Sequence, residues 1–284
     1  MVGLSRLRSL PSLPTCDSCL PDDTIDSGSL LAAGLASFEQ FAEATSTMDR
    51  ARQLAQHPNP SLPAAVVADR QTQGRGRRGA GWWQAPGSLT MSLVVDAMSL
   101  GAAGGAVPQW SLACGVALAE AIQSCEPVVS ARVRWPNDVE VGTRKLAGIL
   151  VETAGDGRVI FGVGVNTTGT AADAPAQIRE RVITLPDITG RPLARQALLC
   201  RFLPTLFGLL TEIGADPARL GSRYRPLCCL TGRRIRIHAA DGIHEGLCAG
   251  IADDGRLVLE TQTGQVEIVS GSLTDPAAVW RGDG

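Results

Sequence analysis

Of the 26 basic side chains in this 284-residue sequence, 25 are arginine and one, Lys145, is lysine. An ammonium is a compact point charge on a flexible stem, whereas a guanidinium is a planar, forked donor. A chain that settles on arginine everywhere else has one place that holds the point charge. Lys145 lies seven residues beyond Asp138, after the run Arg134-Trp-Pro-Asn-Asp138 and at the head of Lys145-Leu-Ala-Gly-Ile-Leu150. The run puts an amide, Asn137, and a carboxylate, Asp138, just past a strand end, with Pro136 setting the turn. Two strands joined there can bring Asn137, Asp138 and Lys145 to one end of a sheet, where Asp138 pairs with or orients the lysine. A surface ion pair worth at most about 1 kcal/mol would use the same residues. Gly148, in the lysine strand, marks a place where something approaches the backbone closely.

A second cationic feature is the loop Gly74-Arg-Gly-Arg-Arg-Gly79. It matches GxGxxG literally, but a dinucleotide-binding turn holds pyrophosphate on backbone amides at the start of a helix. Here the loop carries Arg75, Arg77 and Arg78. The segment that follows, Ala80-Gly-Trp-Trp-Gln-Ala-Pro-Gly87, cannot open a helix, and the next element is a strand. The loop reads instead as a mobile cationic flap, its glycines allowing close backbone approach and its arginines offering forks for phosphate or carboxylate. A solvated basic turn is the plainer alternative. A third glycine-bearing strand, Phe161-Gly-Val-Gly-Val-Asn166, can pack against a planar ligand with Asn166 donating to it; a bulged core strand would look the same.

These segments need elements to position them. A helix is expected over 45–56, opened by a Ser/Thr cap, and others over 108–125 and 194–213, the last with a kink at Pro204. Strands are expected at 64–68, 89–95, 146–151 and 159–165, the last two joined by the hairpin-like turn Ala154-Gly-Asp-Gly157. Beyond residue 226 come only short alternating runs, 234–238, 243–251, 257–260 and 266–269, the pattern of a small barrel. The chain therefore divides into a loosely packed or disordered extension (1–36), a mixed α and β unit (37–225) and a small β unit (226–284).

Composition narrows the function classes. An apolar fraction of 44% suits an ordinary core, and a net charge of −2 gives no general pull toward nucleic acid or anionic membrane. No run of 18 apolar residues occurs, so no membrane span is expected. The first 21 residues are broken by Pro11 and Pro14 and lack the apolar stretch of a secretory signal. Eight cysteines are present: Cys16, Cys19, Cys114, Cys125, Cys200, Cys228, Cys229 and Cys248. Most sit in apolar surroundings, as buried thiols of a reducing cytosol do. Cys16 and Cys19 form a CxxC with no second pair, so it is read as non-functional.

Taken in order, Ser46-Thr47, Gln71-Thr-Gln-Gly-Arg-Gly-Arg-Arg-Gly79, Trp82, Trp135-Pro-Asn-Asp138, Lys145-Leu-Ala-Gly-Ile-Leu150 and Gly162-Val-Gly-Val-Asn166 resemble the biotin protein ligase family. The resemblance covers about residues 40–270. It implies an α+β fold: a mixed-sheet catalytic domain of the biotin/lipoate ligase type followed by a small SH3-like β-barrel. It implies a two-step reaction, in which biotin and ATP give biotinyl-5′-AMP and pyrophosphate, and a lysine of a biotin carboxyl carrier domain then takes the biotinyl group. ATP and Mg²⁺ would be co-substrates, with no certain metal-ligand set in the protein. By resemblance, Ser46, Thr47, Met48, Gln71, Gly74, Gly76 and Gly148 would surround biotin, with Trp82 packed beside the ligand. Arg75 would fold the loop over biotin and the acyl phosphate, and Arg77 would face the ATP phosphates. Lys145 would contact the biotin carboxyl and the α-phosphate, Asn137 and Asp138 would lie on the phosphate and magnesium side, and Asn166 near the adenylate. Lys145, Arg75, Arg77 and Asp138 would form the catalytic set.

Met48 stands where many relatives have Asn, Arg134 replaces a common Lys, and Ala80 sits where a polar or basic residue is usual. Residues 1–36 are too short and too rich in Pro and Ser for a helix-turn-helix, so the expectation is a cytoplasmic ligase with no nucleic-acid or membrane partner; the resemblance is compatible with a homodimer through the central sheet. Two other functions remain open: a lipoate-type ligase or acyltransferase on the same core, and a non-catalytic regulator that binds a small acid.

Overall fold

The structure is a computed structural model and describes residues 24–99 and 107–274. Its larger sheet has seven strands in the order β1-β2-β3-β7-β6-β5-β4. These are β1 (Ser37–Ala44), β2 (Ala64–Gln71), β3 (Leu89–Asp96), β4 (Ala131–Arg134), β5 (Asp138–Val141), β6 (Arg144–Ala154) and β7 (Arg158–Val165). Only β1 and β2 run parallel, and the helix α2 (Thr47–Gln56) makes the crossover between them. The remaining pairs in this sheet are antiparallel. The β6–β7 turn is the expected hairpin: Asp156 and Gly157 both have positive φ (54° and 74°), which an Asp-Gly pair accommodates readily.

One face of the sheet carries α2, packed on β2, β3 and β7. The other carries α3 (Val107–Cys125), with α5 (Arg195–Ala215) packed against it. By length and composition α5 could cross a membrane. In this fold its Leu198, Phe202, Leu206, Leu209 and Ile213 are buried in the main core, which accounts for its apolar character. The helix runs through Pro204 as one element. Two short helices, α4 (Leu185–Thr189) and α6 (Ala218–Tyr224), flank it.

The C-terminal unit is an antiparallel sheet of five strands in the order β11-β10-β9-β8-β12. They are β8 (Arg234–Ala239), β9 (Gly242–Ile251), β10 (Leu257–Thr261), β11 (Gly264–Ile268) and β12 (Ser272–Thr274). The α+β class is as expected. The core, however, runs across both units without a break: Ile235, Ile237, Cys248 and Leu257 belong to the same buried cluster as Leu112 and Trp135. Trp135 Nε1 donates to Gly255 O at 3.0 Å, tying the two units at the turn that precedes Asn137.

The N-terminal expectation needs correction. Residues 24–36 do not form a loose extension. Helix α1 (Ser27–Ala32) is capped by the Asp26 carboxylate, and Ile25, Leu30 and Leu35 are buried in the main core. A six-residue helix is too short to show a readable period. The Cys16–Cys19 pair lies outside the described residues.

Candidate active site

The N-terminus of α2 is where the site begins. Ser46 occupies the expected cap position but makes no side-chain cap bond. The cap comes from the neighbouring strand instead: Gln71, the last residue of β2, accepts from Thr47 N (2.8 Å) and Thr47 Oγ1 (3.2 Å) through its Oε1. Ser92 Oγ of β3 donates to Thr47 Oγ1 at 2.8 Å. Thr47 and Ser92 are almost completely buried, and buried polar groups persist only in such satisfied chains. The result is a fixed polar wall built from three elements.

The opposite wall is flat because of glycine. The β6–β7 register sets Gly148 directly against Gly164. A Cβ at Gly164 would lie 2.4 Å from Trp82 Cε2, and one at Gly148 would lie 2.9 Å from Trp82 Cζ3. The indole of Trp82 therefore rests on bare backbone. Gly162, two residues earlier, leaves room for the Met48 sulfur.

The flap closes over this space. Trp82 N donates to Gly74 O (2.9 Å) and Gly76 N to Ala80 O (2.7 Å), so the loop is a narrow antiparallel finger. Arg78 has φ of 55°, a left-handed conformation seldom taken by non-glycine residues. Its guanidinium donates to Ser272 Oγ of β12, which ties the flap to the C-terminal sheet. Arg75 is paired with Asp49 on α2, and this hydrogen bond holds the Asp49 carboxyl below its usual range. Arg77 Nη1 donates to Asn137 Oδ1 at 3.1 Å. Burial, and then the charge of Arg78, pull the Arg77 pKa down, against the opposing pull of Asp138.

Lys145 completes the site. Its Nζ lies 2.7 Å from Asp138 Oδ1, and 5.6 Å from the centroid of the Trp82 ring. That carboxylate oxygen is buried at ion-pair distance but lacks hydrogen-bond alignment. Arg75 Nε, Trp82 Nε1 and Asn166 Oδ1 are also buried without hydrogen-bond partners. The four residues that carry these atoms line one cavity of about 640 Å³.

Ser46, Thr47, Met48, Gln71, Arg75, Gly76, Arg77, Trp82, Asn137, Asp138, Lys145, Gly148 and Asn166 all line this cavity. Gly74 does not. A Cβ there would meet Trp82 O at 3.1 Å and Gln71 Nε2 at 3.2 Å, so its glycine serves the closure of the finger. Asn166 Nδ2 donates to Ile183 O at 3.0 Å, and its Oδ1 is buried without a hydrogen-bond partner among the described residues. Asn137 is likewise committed: Nδ2 donates to Ile149 O (2.8 Å) while Oδ1 receives Arg77.

Sequence reasoning missed two parts of the wall, Ile178 with Arg181 and Val182, and Ser272 with Leu273 of β12. The first is brought in by a parallel bridge between Lys145 and Val182 and by Ile183 N donating to Lys145 O at 3.0 Å. No spacing within the chain announces either contact.

Comparison with known proteins agrees with this geometry. The model of the Biotin/lipoate A/B protein ligase family matches residues 41–167, and that of the Biotin protein ligase C terminal domain matches residues 230–272. The chain is 31% identical over 237 residues to a biotin–[acetyl-CoA-carboxylase] ligase of Paracoccus denitrificans, covering 79% of this chain and 95% of that protein. It is 30% identical over 215 residues to the Mycobacterium tuberculosis protein of the same name, covering 73% and 77% respectively. Among solved structures, the Aquifex aeolicus biotin protein ligase in complex with biotin and ATP superposes with a TM-score of 0.73 at 27% identity, covering 84% of this chain and 97% of that one. The flap, the lysine strand and the glycine floor fall within the first matched segment and β8 to β11 within the second, and this chain belongs to the biotin protein ligase family.

Proposed function

We propose that this chain is an ATP-dependent biotin ligase that transfers biotin to a lysine of a biotin carboxyl carrier domain. The observation that carries the reading is the convergence, in one cavity, of the Gly-Arg flap and the chain's single lysine over the Gly148–Gly164 floor.

In the first step a carboxylate oxygen of biotin attacks the α-phosphorus of ATP. A P–O bond forms, the bond to the bridging oxygen breaks, and pyrophosphate leaves. The obstacle is electrostatic, since two like charges about 4 Å apart repel by about 4 kcal/mol at an effective dielectric near 20. Fixed cations lower that cost and stabilise charge developing on the phosphoryl oxygens. In this reading Lys145, held beside Asp138, sits where carboxylate and α-phosphate meet, and Arg77 faces the phosphates. Arg75 would exchange Asp49 for ligand as the flap closes. Trp82 covers the ligand and shields the mixed anhydride from water. In the second step the acceptor amine attacks the acyl carbon, and AMP leaves with the C–O bond electrons. Lys145 is an electrostatic clamp throughout, because the attacking amine belongs to the carrier.

Among the described residues no three His, Cys, Asp or Glu side chains cluster as a metal cage. Mg²⁺ fits as a companion of the ATP phosphates, with Asp138 as the cavity carboxylate it would meet. The names of the relatives support an acetyl-CoA carboxylase carrier domain as the acceptor. A bacterial-type cytoplasmic setting accords with the same relatives.

The test is incubation of the protein with biotin, Mg-ATP and an apo carrier domain, following biotin incorporation and pyrophosphate release together. Incorporation stoichiometric with pyrophosphate is expected. Acceptance of lipoate or octanoate in place of biotin would assign the chain to the lipoate branch. Biotin binding with no pyrophosphate release would make it a non-catalytic regulator.

A further inference from the structure

Five cations line the cavity: Arg75, Arg77, Arg134, Lys145 and Arg181. Three face a carboxylate: Arg75 with Asp49, Arg134 with Glu140 at 3.0 Å, and Lys145 with Asp138 at 2.7 Å. Their charge is largely balanced before any ligand arrives. Arg77 leans on a neutral amide, Asn137. Arg181 is exposed, and its guanidinium has no hydrogen-bond or ion-pair partner among the described residues. Its neighbours are nevertheless held in place: Arg181 N donates to Ile178 O at 2.8 Å, Val182 bridges Lys145, and Ile183 N donates to Lys145 O. The segment is thus anchored to the strand that bears the lysine, with an uncommitted arginine at the solvent side of the cavity.

We infer that Arg181 binds the β- and γ-phosphates of ATP and steadies the pyrophosphate as it leaves. The inference rests on the ligase reading above. Most of the negative charge of the two substrates lies on the polyphosphate, and the carboxylate-paired cations are already partly offset by their partners. Arg77 lies deeper, where burial already depresses its pKa. Arg181 supplies a charge with no carboxylate partner among the described residues, on an exposed part of the cavity lining. A guanidinium fork matches two phosphate oxygens at once. Arg181 is accordingly a ligand-binding residue for the first half-reaction alone, because biotinyl-5′-AMP has no β- or γ-phosphate.

That restriction makes the test selective. The variants are Arg181→Gln and Arg181→Lys in the full chain, each assayed for three quantities: the KM for ATP in biotin-dependent pyrophosphate release, the affinity for biotin without nucleotide, and single-turnover transfer from preformed biotinyl-5′-AMP to an apo carrier domain. For Arg181→Gln the KM for ATP is expected to rise about ten-fold, the effect of one charge-assisted hydrogen bond. Biotin affinity and transfer are expected to hold, and Arg181→Lys to recover part of the loss. An unchanged KM for ATP overturns the assignment. So does slowed transfer from biotinyl-5′-AMP with normal ATP use, which would place Arg181 in carrier docking, or equal loss of all three quantities, which would make it structural. Absence of pyrophosphate release by the unsubstituted chain would instead sink the ligase reading itself.

Discussion

Replacing Lys145 with glutamine removes one charge while keeping a side chain of similar reach. In the structure that charge lies 2.7 Å from Asp138 Oδ1, with 32% of the lysine side chain exposed. For stability little should change. A partly exposed pair of this kind is worth at most about 1 kcal/mol, which corresponds to a melting shift below about 4 °C for a chain of this size. For the chemistry much more is at stake. A unit charge about 4 Å from the reacting phosphoryl contributes about 4 kcal/mol at an effective dielectric near 20. That is about three decades in rate, and solvent access to the site trims it, so a 10²- to 10³-fold loss is the expectation for adenylation. Lys145→Arg should lose about 10²-fold as well, because the fork keeps the charge but moves it away from where carboxylate and phosphate meet. The assay is biotin-dependent pyrophosphate release under saturating substrates, with thermal melting as the control. Near-normal release by either variant, in a protein that melts normally, would refute the clamp role.

Three further outcomes follow from the same geometry. Gly164→Ala places a methyl 2.4 Å from the rigid Trp82 ring, so the indole must leave the glycine floor; a changed tryptophan emission and weakened biotinyl-5′-AMP binding, with the fold intact, are expected, and unaltered emission would contradict the packing. Gln71→Ala removes the acceptor that caps α2 and is expected to cost about 1 kcal/mol in denaturant unfolding, together with a loss of biotin affinity; an unaffected midpoint would show that Ser46 takes over the cap. Asp49→Asn frees Arg75 from α2 and should speed amide exchange in 74–82. Because the Asp49 pKa is lowered by Arg75, its contribution is fully present above the ordinary carboxylate pKa and fades as pH falls through the lowered value. Exchange in the flap should therefore be pH-independent at neutral pH, once corrected for intrinsic rates, and rise only in acid; a rise near pH 6 would point to a different group.

Much of the site was legible in the chain because its chemistry is written in short runs. Lys145 lies seven residues from Asp138, and the flap's arginines and glycines are contiguous. The main helices were legible for the same reason, since periodic apolar residues declare a buried face. Resemblance to a family then assigned roles that spacing alone left open. Three kinds of fact were not legible. Helix α1, at six residues, was too short to show a period, yet it buries Leu30 completely. The cap of α2 comes from Gln71, 24 residues beyond Thr47. Asn166 is anchored by Ile183 O, 17 residues further on, which accepts from its Nδ2.

By itself the sequence determined which charges and amides were available, that they cluster in a few runs, and that the chain is an α+β ligase-type fold. Tertiary structure decided which of those groups stay free for a ligand. Register placed Gly148 opposite Gly164 and so made the floor that Trp82 covers. Long-range pairing tied Arg75 to Asp49 and Arg78 to Ser272, and left Arg181 without a partner among the described residues. The physical reason is that a side chain's charge is a property of its residue type. Whether that charge is already neutralised depends on neighbours that lie dozens to nearly two hundred positions away in the chain.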